Sequence, residues 1–227
     1  MNVAVHHDPT AHPATRMLND MIFEAVVTTV SRDGAAHVAP MGVRYADDRV
    51  VLMPFKPSTT LDNITATGHA VLNLLTDTRV FAGCVTGRKA WPLLPVGAAG
   101  GMRLAAALGH VELRLAEQHD DAQRPVLHMA RVADATHAPF IGFNRAQTAV
   151  LEGAILISRL HLLPAAKIDT ELAYLQIAID KTAGAAERTE VRLFQVDEIG
   201  AAFGRDERFG HAANAHQHAR QIGRAHV

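Results

Sequence analysis

The stretch EAVVTTVSRDGAAHVAPMGVRY, residues 24–45, predicts the fold. Its apolar, β-branched first half ends at SRDG, and the Asp33-Gly34 pair is a strong signal for a tight β-hairpin. AAHVAPMGVRY then returns as a second strand, in which Pro40 cannot donate to a ladder and indicates an edge, a bulge or a ligand-facing break. Asp47 and Asp48 form the next turn, and RVVLMPF is a third strand. Antiparallel strands with such short connections indicate a β-barrel or a β-sandwich.

More strands are expected after a short helix. Thr59 and Asp62 have the spacing of a capping pair and Gly68 can end the helix, which predicts about two helical turns. The further predicted strands are HAVLNLLTD, RVFAGCVTG, AAALGHVELRLAEQ and RPVLHMARVADA, the last two joined by the acidic turn HDDAQ. RKAWPLLPVGAAGGMR is expected to be a long loop. The fold class is therefore mainly β with α, with six or seven antiparallel strands before residue 136.

The spacing of apolar residues becomes helical from Asn144 onwards. A first run covers residues 150–157, and a second places Ile168, Leu172, Leu175 and Ile179 at spacings of four, three and four. These runs predict a C-terminal helical hairpin, and EVRLFQVDEI is compatible with a last strand or a third helix. The predicted organisation is a disordered tail at 1–16, a barrel at 17–140, a helical subdomain at 141–200 and a flexible tail at 201–227.

The composition excludes several classes of protein. The 227 residues include 22 basic and 23 acidic ones, a balance that favours neither nucleic acid nor an anionic membrane as partner. A single cysteine, Cys84, indicates a reducing compartment. The sequence has no signal-peptide pattern and no apolar run of about 18 residues, so we expect a soluble cytoplasmic protein. None of the 14 histidines has the helical spacing and carboxylate partner typical of a zinc site, and no metal is predicted.

The segment PFKPSTTLDNI, residues 54–64, combines the groups that a phosphate requires. Lys56 supplies a cation, Ser58, Thr59 and Thr60 supply hydroxyl groups, and the start of a helix supplies free backbone N–H groups. Asn63 lies one turn further on and could hydrogen-bond a polyol chain. The competing interpretation is a capped helix whose hydroxyl groups serve only its own backbone. Spacing alone leaves both interpretations open.

The order of these motifs resembles that of the FMN-binding split barrels, the superfamily of flavin reductases and pyridoxamine-phosphate oxidase. It is most similar to the archaeal and methylotroph family called domain of unknown function four hundred and forty-seven. The similarity rests on the TTV, DG and APMGV hairpin, the PFKPSTT segment and the helical C-terminal hairpin, over roughly residues 20 to 195. It implies a split β-barrel flavin-binding domain and a homodimer with FMN at the interface.

The resemblance also implies a set of cofactor-binding residues. The phosphate would lie on the 54–64 segment, and backbone groups of the APMGV strand would face the isoalloxazine ring, where Gly42 would allow a close approach. The implied residues are Pro40, Met41, Gly42, Val43, Lys56, Ser58, Thr59, Thr60 and Asn63. Split barrels often bind the phosphate with arginines, so Arg44, Arg88 or Lys89 would have to help Lys56. No catalytic residue is predicted, because a flavin carries the hydride itself.

Three functions are compatible with the sequence. The first is an FMN-dependent oxidoreductase that transfers hydride or electrons from a reduced nicotinamide or deazaflavin to a small organic acceptor. The family resemblance links this activity to pterin-dependent one-carbon metabolism. The second is a flavin-binding or carrier protein without turnover, and the third is a split-barrel scaffold or assembly partner without a cofactor.

Overall fold

The computed structural model describes residues 21–97, 100–160 and 162–193, which form two compact units. The barrel unit comprises residues 21–75 and 91–139, and the helical unit comprises residues 76–90 and 140–193. The predicted tails at 1–16 and 201–227 lie outside the described residues. The same is true of residues 194–199 of the ambiguous EVRLFQVDEI segment. The sequence did not anticipate that residues 76–90, between two barrel-unit segments, cluster with the helical unit.

Six strands of the barrel unit close into an antiparallel barrel. They are β1 (Phe23–Val30), β2 (Ala36–Ala46), β3 (Arg49–Leu52), β4 (His69–Leu74), β7 (Gly109–His119) and β8 (Val126–Thr136). Their order around the barrel is β1-β2-β3-β8-β7-β4, with β4 returning to pair with β1. The outer strands β5 (Leu93–Val96) and β6 (Gly101–Leu104) form a separate two-stranded sheet. The prediction of a mainly antiparallel β fold with helices is confirmed.

The core of the barrel follows from alternation along the strands. Inward-facing residues are apolar and buried, among them Val27, Val43, Leu72 and Leu113, as the period of two in a half-buried strand requires. Helix α1 (Thr59–Thr67) adds Leu61 and Ile64 to the same core. The helix therefore begins at a position that the packing of the barrel fixes.

Both predicted glycine signals are found at the expected ends of elements. The β1–β2 hairpin turns at Gly34, with a φ of 88°, and its N–H donates to the Ser31 carbonyl over 3.0 Å. α1 ends at Gly68, with a φ of 75°, and the Gly68 N–H donates to the Ile64 carbonyl over 2.8 Å. The predicted hairpin and the predicted helix stop are confirmed.

The barrel has an open edge along part of β2. All of β1 pairs with β2, but β3 pairs only with Val43–Ala46. No described strand pairs with the second edge of Ala39–Gly42. Pro40 lies in this segment, where its missing N–H interrupts no second ladder.

Two predictions about local structure are wrong. RVFAGCVTG is not a fifth barrel strand, because Arg79–Val85 form helix α2 of the helical unit. Its apolar run of Val80, Phe81 and Ala82 is buried on a short helix, and periodicity cannot distinguish a short buried helix from a strand. RKAWPLLPVGAAGGMR is not a loop throughout, since it contains β5 and β6.

The helical unit contains the predicted hairpin. Its helices are α3 (Arg145–Ser158), α4 (Ala165–Thr182) and α5 (Ala185–Leu193). The side chain of Asn144 caps α3 by accepting hydrogen bonds from the N–H groups of Ala146 and Gln147. Val150 and Ile157 of α3 pack with Ile179 of α4 in one apolar cluster, which confirms the helical hairpin. Among the residues described, no helix has the length and apolar character needed to cross a membrane.

Candidate functional site

The start of α1 is organised by Ser58 rather than by Thr59. The Ser58 hydroxyl accepts a hydrogen bond from the Leu61 N–H over 3.3 Å, and the Ser58 carbonyl accepts one from the Asp62 N–H over 3.1 Å. The predicted capping pair of Thr59 and Asp62 is therefore wrong by one residue, because three consecutive hydroxyl residues compete for the cap. The capping interpretation is correct for Ser58, whose hydroxyl serves the helix backbone.

The first turn of α1 keeps two donors for a ligand. The backbone N–H groups of Thr59 and Thr60 have no acceptor among the described residues, as expected for the first positions of a helix. The Thr59 side chain is exposed, whereas Thr60 is only 2% exposed. Two adjacent N–H groups at a helix N-terminus form a site for an anion, because the helix dipole adds to their partial charges.

Asn63 is used by the barrel. It is 6% exposed, and its amide Nδ2 donates to the Thr29 hydroxyl of β1 over 3.0 Å. This hydrogen bond attaches α1 to the barrel. A role of Asn63 in binding a polyol chain stays a prediction.

Lys56 is held by the turn between β7 and β8. Its ammonium group forms an ion pair with Asp120, and its backbone N–H donates to the Gln123 carbonyl over 2.8 Å. The hydrogen bond and the charge of Lys56 hold the pKa of the Asp120 carboxyl below its usual value. The predicted phosphate cation is thus engaged with a carboxylate of the same chain.

The same turn brings a second cation to the segment. The guanidinium group of Arg124 lies 4.5 Å from the centre of the Phe55 ring and donates to the Met53 carbonyl over 3.2 Å. Sequence reasoning missed Arg124, since it is 71 positions from its Met53 partner and no local motif marks the contact. Arg88 and Lys89, two of the predicted helpers, belong to the helical unit.

Four of the five APMGV residues, Ala39–Gly42, lie along the open edge of β2, and Val43 pairs with β3. Met41 packs against the barrel core and Val43 is fully buried in it. A Cβ atom at Gly42 would lie 2.6 Å from Cγ2 of Ile22, so the space that this glycine leaves is used by the chain itself. The predicted reason for Gly42, the close approach of a ring, stays a prediction beside this packing role.

Arg44 is the third predicted helper and carries an unsatisfied group. Its Nε atom is buried and has no hydrogen-bond partner within the described part of the chain. A buried guanidinium donor without an acceptor is costly unless another group satisfies it. This orphaned donor, the open N–H groups of α1 and Lys56 have the chemistry that an anionic, hydrogen-bonding cofactor such as FMN requires. The residues present therefore fit the cofactor.

A closed six-stranded barrel with an open edge on β2 and a helix N-terminus beside Lys56 defines a split-barrel protein. The chain belongs to the family described as protein of unknown function (DUF447). The N-terminal domain of that family matches residues 23–138, and its second domain matches residues 144–193. Together the two matches cover both the barrel and the helical hairpin.

Solved structures are similar to this chain at low sequence identity. The FMN-bound protein MM1853 from Methanosarcina mazei is 20% identical over 78% of this chain and 95% of its own, with a TM-score of 0.67. Flavoredoxin from Methanosarcina acetivorans is 11% identical over 60% and 76% of the two chains, with a TM-score of 0.44. A flavin reductase domain protein from Arthrobacter sp. FB24 is 13% identical over 56% and 84%, with a TM-score of 0.46. No curated protein matches the sequence.

Removing the Ser58 hydroxyl tests the capping role. We expect Ser58→Ala to lower the free energy of unfolding by about 1 kcal/mol, because the Leu61 N–H loses its acceptor. Thr59→Ala is the matched control, since its exposed hydroxyl has no partner among the described residues and should change stability little. Urea denaturation measures both. Equal effects of the two substitutions would contradict the assignment of Ser58 as the cap.

Proposed function

We propose that this chain binds FMN, with the phosphate at the start of α1 and the isoalloxazine ring along the open edge of β2. The phosphate would be held by Lys56, Ser58, Thr59 and Thr60, with Asn63 close by, and the ring would face Pro40–Val43. The observation that carries this proposal is the pair of unpartnered N–H groups of Thr59 and Thr60 next to a lysine. The FMN bound by MM1853, a protein of similar fold, supports it.

The proposed activity is that of a flavin-dependent oxidoreductase. When bound, FMN supplies hydride and electron transfer, and the chain has to bind and orient it. The open β2 edge offers backbone groups to the polar edge of the ring, and Arg44 offers a buried donor without a partner. A small organic acceptor, a link to pterin-dependent one-carbon metabolism and a cytoplasmic location belong to the same proposal.

The proposal includes a homodimer with the flavin at the interface, as the family resemblance implies. The mass of the FMN-loaded protein in solution tests it. A monomer that still binds FMN tightly would contradict a site shared between two subunits.

The ion pair of Lys56 and the capping role of Ser58 favour a second candidate function. Two of the predicted phosphate ligands already have partners in the chain. A scaffold protein without a cofactor would need both contacts only for stability. An absorbance spectrum of the protein, purified without added cofactor and again after FMN loading and desalting, separates the candidates. Flavin bands that survive desalting support the first, and a protein that stays colourless supports the scaffold.

Lys56→Ala tests the position of the phosphate. We expect FMN binding to weaken by about 1–3 kcal/mol, as for the loss of a hydrogen bond to a charged group. Binding of riboflavin, which lacks the phosphate, should change little. Fluorescence titration of both flavins measures the two affinities. An equal loss for FMN and riboflavin would show that the contribution of Lys56 does not depend on the phosphate and would contradict its assignment as a phosphate ligand.

Asp120→Asn should have the opposite effect. Its carboxylate competes with the phosphate for Lys56, so its neutralisation should tighten FMN binding, by roughly two- to fivefold as expected for an exposed ion pair. Glu117→Gln is the matched control, because Glu117 pairs with Arg49 rather than Lys56. The same titration measures both variants. Equal tightening by both would indicate a general effect of net charge.

A further inference from the structure

Two histidines of the barrel unit meet outside the proposed flavin site. His110 of β7 is 6% exposed, and its Nδ1 lies 2.8 Å from Nε2 of His137, which follows the end of β8. His137 is exposed, so one imidazole of the pair is buried and the other reaches solvent. Glu112 is the nearest carboxylate, with Oε1 3.9 Å from Nε2 of His110.

The geometry of the two rings is that of a shared proton. Their planes differ by 3°, and their centres are 5.0 Å apart. The distance between the ring centres is longer than the 2.8 Å between the facing nitrogens by about the sum of the two ring radii. The two nitrogens therefore lie on the line between the centres, and the rings are arranged end to end in one plane rather than face to face. Such an arrangement aims one N–H at the lone pair of the other ring. It does not suit a metal ion between the rings, because two metal–nitrogen bonds of about 2.0 Å each need a much longer separation than the 2.8 Å between these nitrogens.

Glu112 determines where the protons lie. Its carboxylate favours a proton on Nε2 of His110, which leaves Nδ1 of that ring as the acceptor. His137 then donates its Nε2 proton to His110 and keeps its own Nδ1 lone pair for solvent. A proton taken from water at Nδ1 of His137 can be passed on, because the Nε2 proton of His137 can move to Nδ1 of His110. The charge then lies on the ring whose Nε2 is 3.9 Å from Glu112.

The charges around the pair allow one extra proton and oppose a second. The first is balanced by the carboxylate of Glu112. The second would put a proton on each of the two facing nitrogens, with the Arg103 guanidinium of β6 adding further positive charge. On β8, Asp134 lies opposite Val111 in the ladder but is paired with Arg131. Partial desolvation, Arg103 and His110 all lower the pKa of His137 below 6.5.

The pair also holds the end of the barrel unit. The N–H groups of His137 and Ala138 donate to the Leu108 carbonyl over 2.7 and 3.1 Å. Residue 139 is the last of the barrel unit. Loss of the contact between the imidazoles therefore removes the side-chain support of the segment that ends this unit.

We propose that Glu112, His110 and His137 form a proton-binding site that keeps its internal hydrogen bond with one extra proton and breaks it with a second, releasing the segment at His137 and Ala138. The site is independent of flavin. The folded state resists the second proton, whereas an unfolded chain does not. Stability is therefore fully present above pH 6.5, the unperturbed value, and falls as the pH drops below it.

The test is an NMR pH titration of the full, isotope-labelled chain. The His137 ring should titrate below its ordinary pKa of 6.5, and amide-exchange protection of Ala138 should be lost in the same step. His137→Gln should keep this protection at acidic pH, since a neutral amide can still donate to His110. Glu112→Gln removes the charge that balances the first proton and should shift the His137 titration further to lower pH, while His119→Gln, outside the site, should leave it unchanged.

Two results would overturn the proposal. One is a His137 ring whose pKa is at or above its ordinary value of 6.5 and does not respond to Glu112→Gln. The other is an Ala138 amide whose protection stays constant while His137 becomes charged. Neither result depends on whether the protein binds FMN.

Discussion

The barrel depends on a ladder of three residue pairs, Val26–Thr28 of β1 against Val71–Asn73 of β4. All other neighbouring strands share longer ladders, so this is the shortest pairing in the barrel. Asn73, which is fully buried, reinforces it: its Nδ2 donates to the Val26 carbonyl and to the Thr28 hydroxyl, and its Oδ1 accepts from the Leu104 N–H over 2.7 Å. Because a buried amide without partners is costly, this one side chain fixes both the register of the closure and the position of β6.

The position of the candidate phosphate site follows from that closure. β1 is held between β2 and β4, and its Thr29 hydroxyl accepts the amide of Asn63. Asn63 anchors the second turn of α1, while Leu61 and Ile64 pack into the barrel. The unpartnered N–H groups of Thr59 and Thr60 therefore lie at the start of a helix whose position is fixed by the barrel. A preorganised donor pair of this kind loses little entropy when it binds an anion.

Local sequence patterns correctly predicted the elements whose conformation depends mainly on neighbouring residues. The Asp33-Gly34 turn, the stop at Gly68 and the apolar stripe of α4 each depend on a few neighbouring residues. The sequence was misleading for residues whose contacts lie far away along the chain. α2 is short and apolar, and its burial in the helical unit, not its pattern, makes it a helix. Arg124 and Asp120 reach the 54–58 segment from a distant turn, and no spacing rule could have identified them.

The charges near α1 change how the phosphate motif has to be interpreted. Lys56 and Arg124 are accompanied by Asp120, Asp121 and, in the first turn of α1, Asp62, so these residues carry no net positive charge without a ligand. Asp121 accepts from the N–H groups of Gln123 and Arg124 and shapes the turn, which leaves Asp120 as the direct competitor of an anion. The contribution of Lys56 to phosphate binding is then the free energy of its ion pair with the phosphate minus that of its ion pair with Asp120. A motif that contains the required residue types is therefore insufficient evidence of binding, because the partners of those residues set the free energy that remains for a ligand.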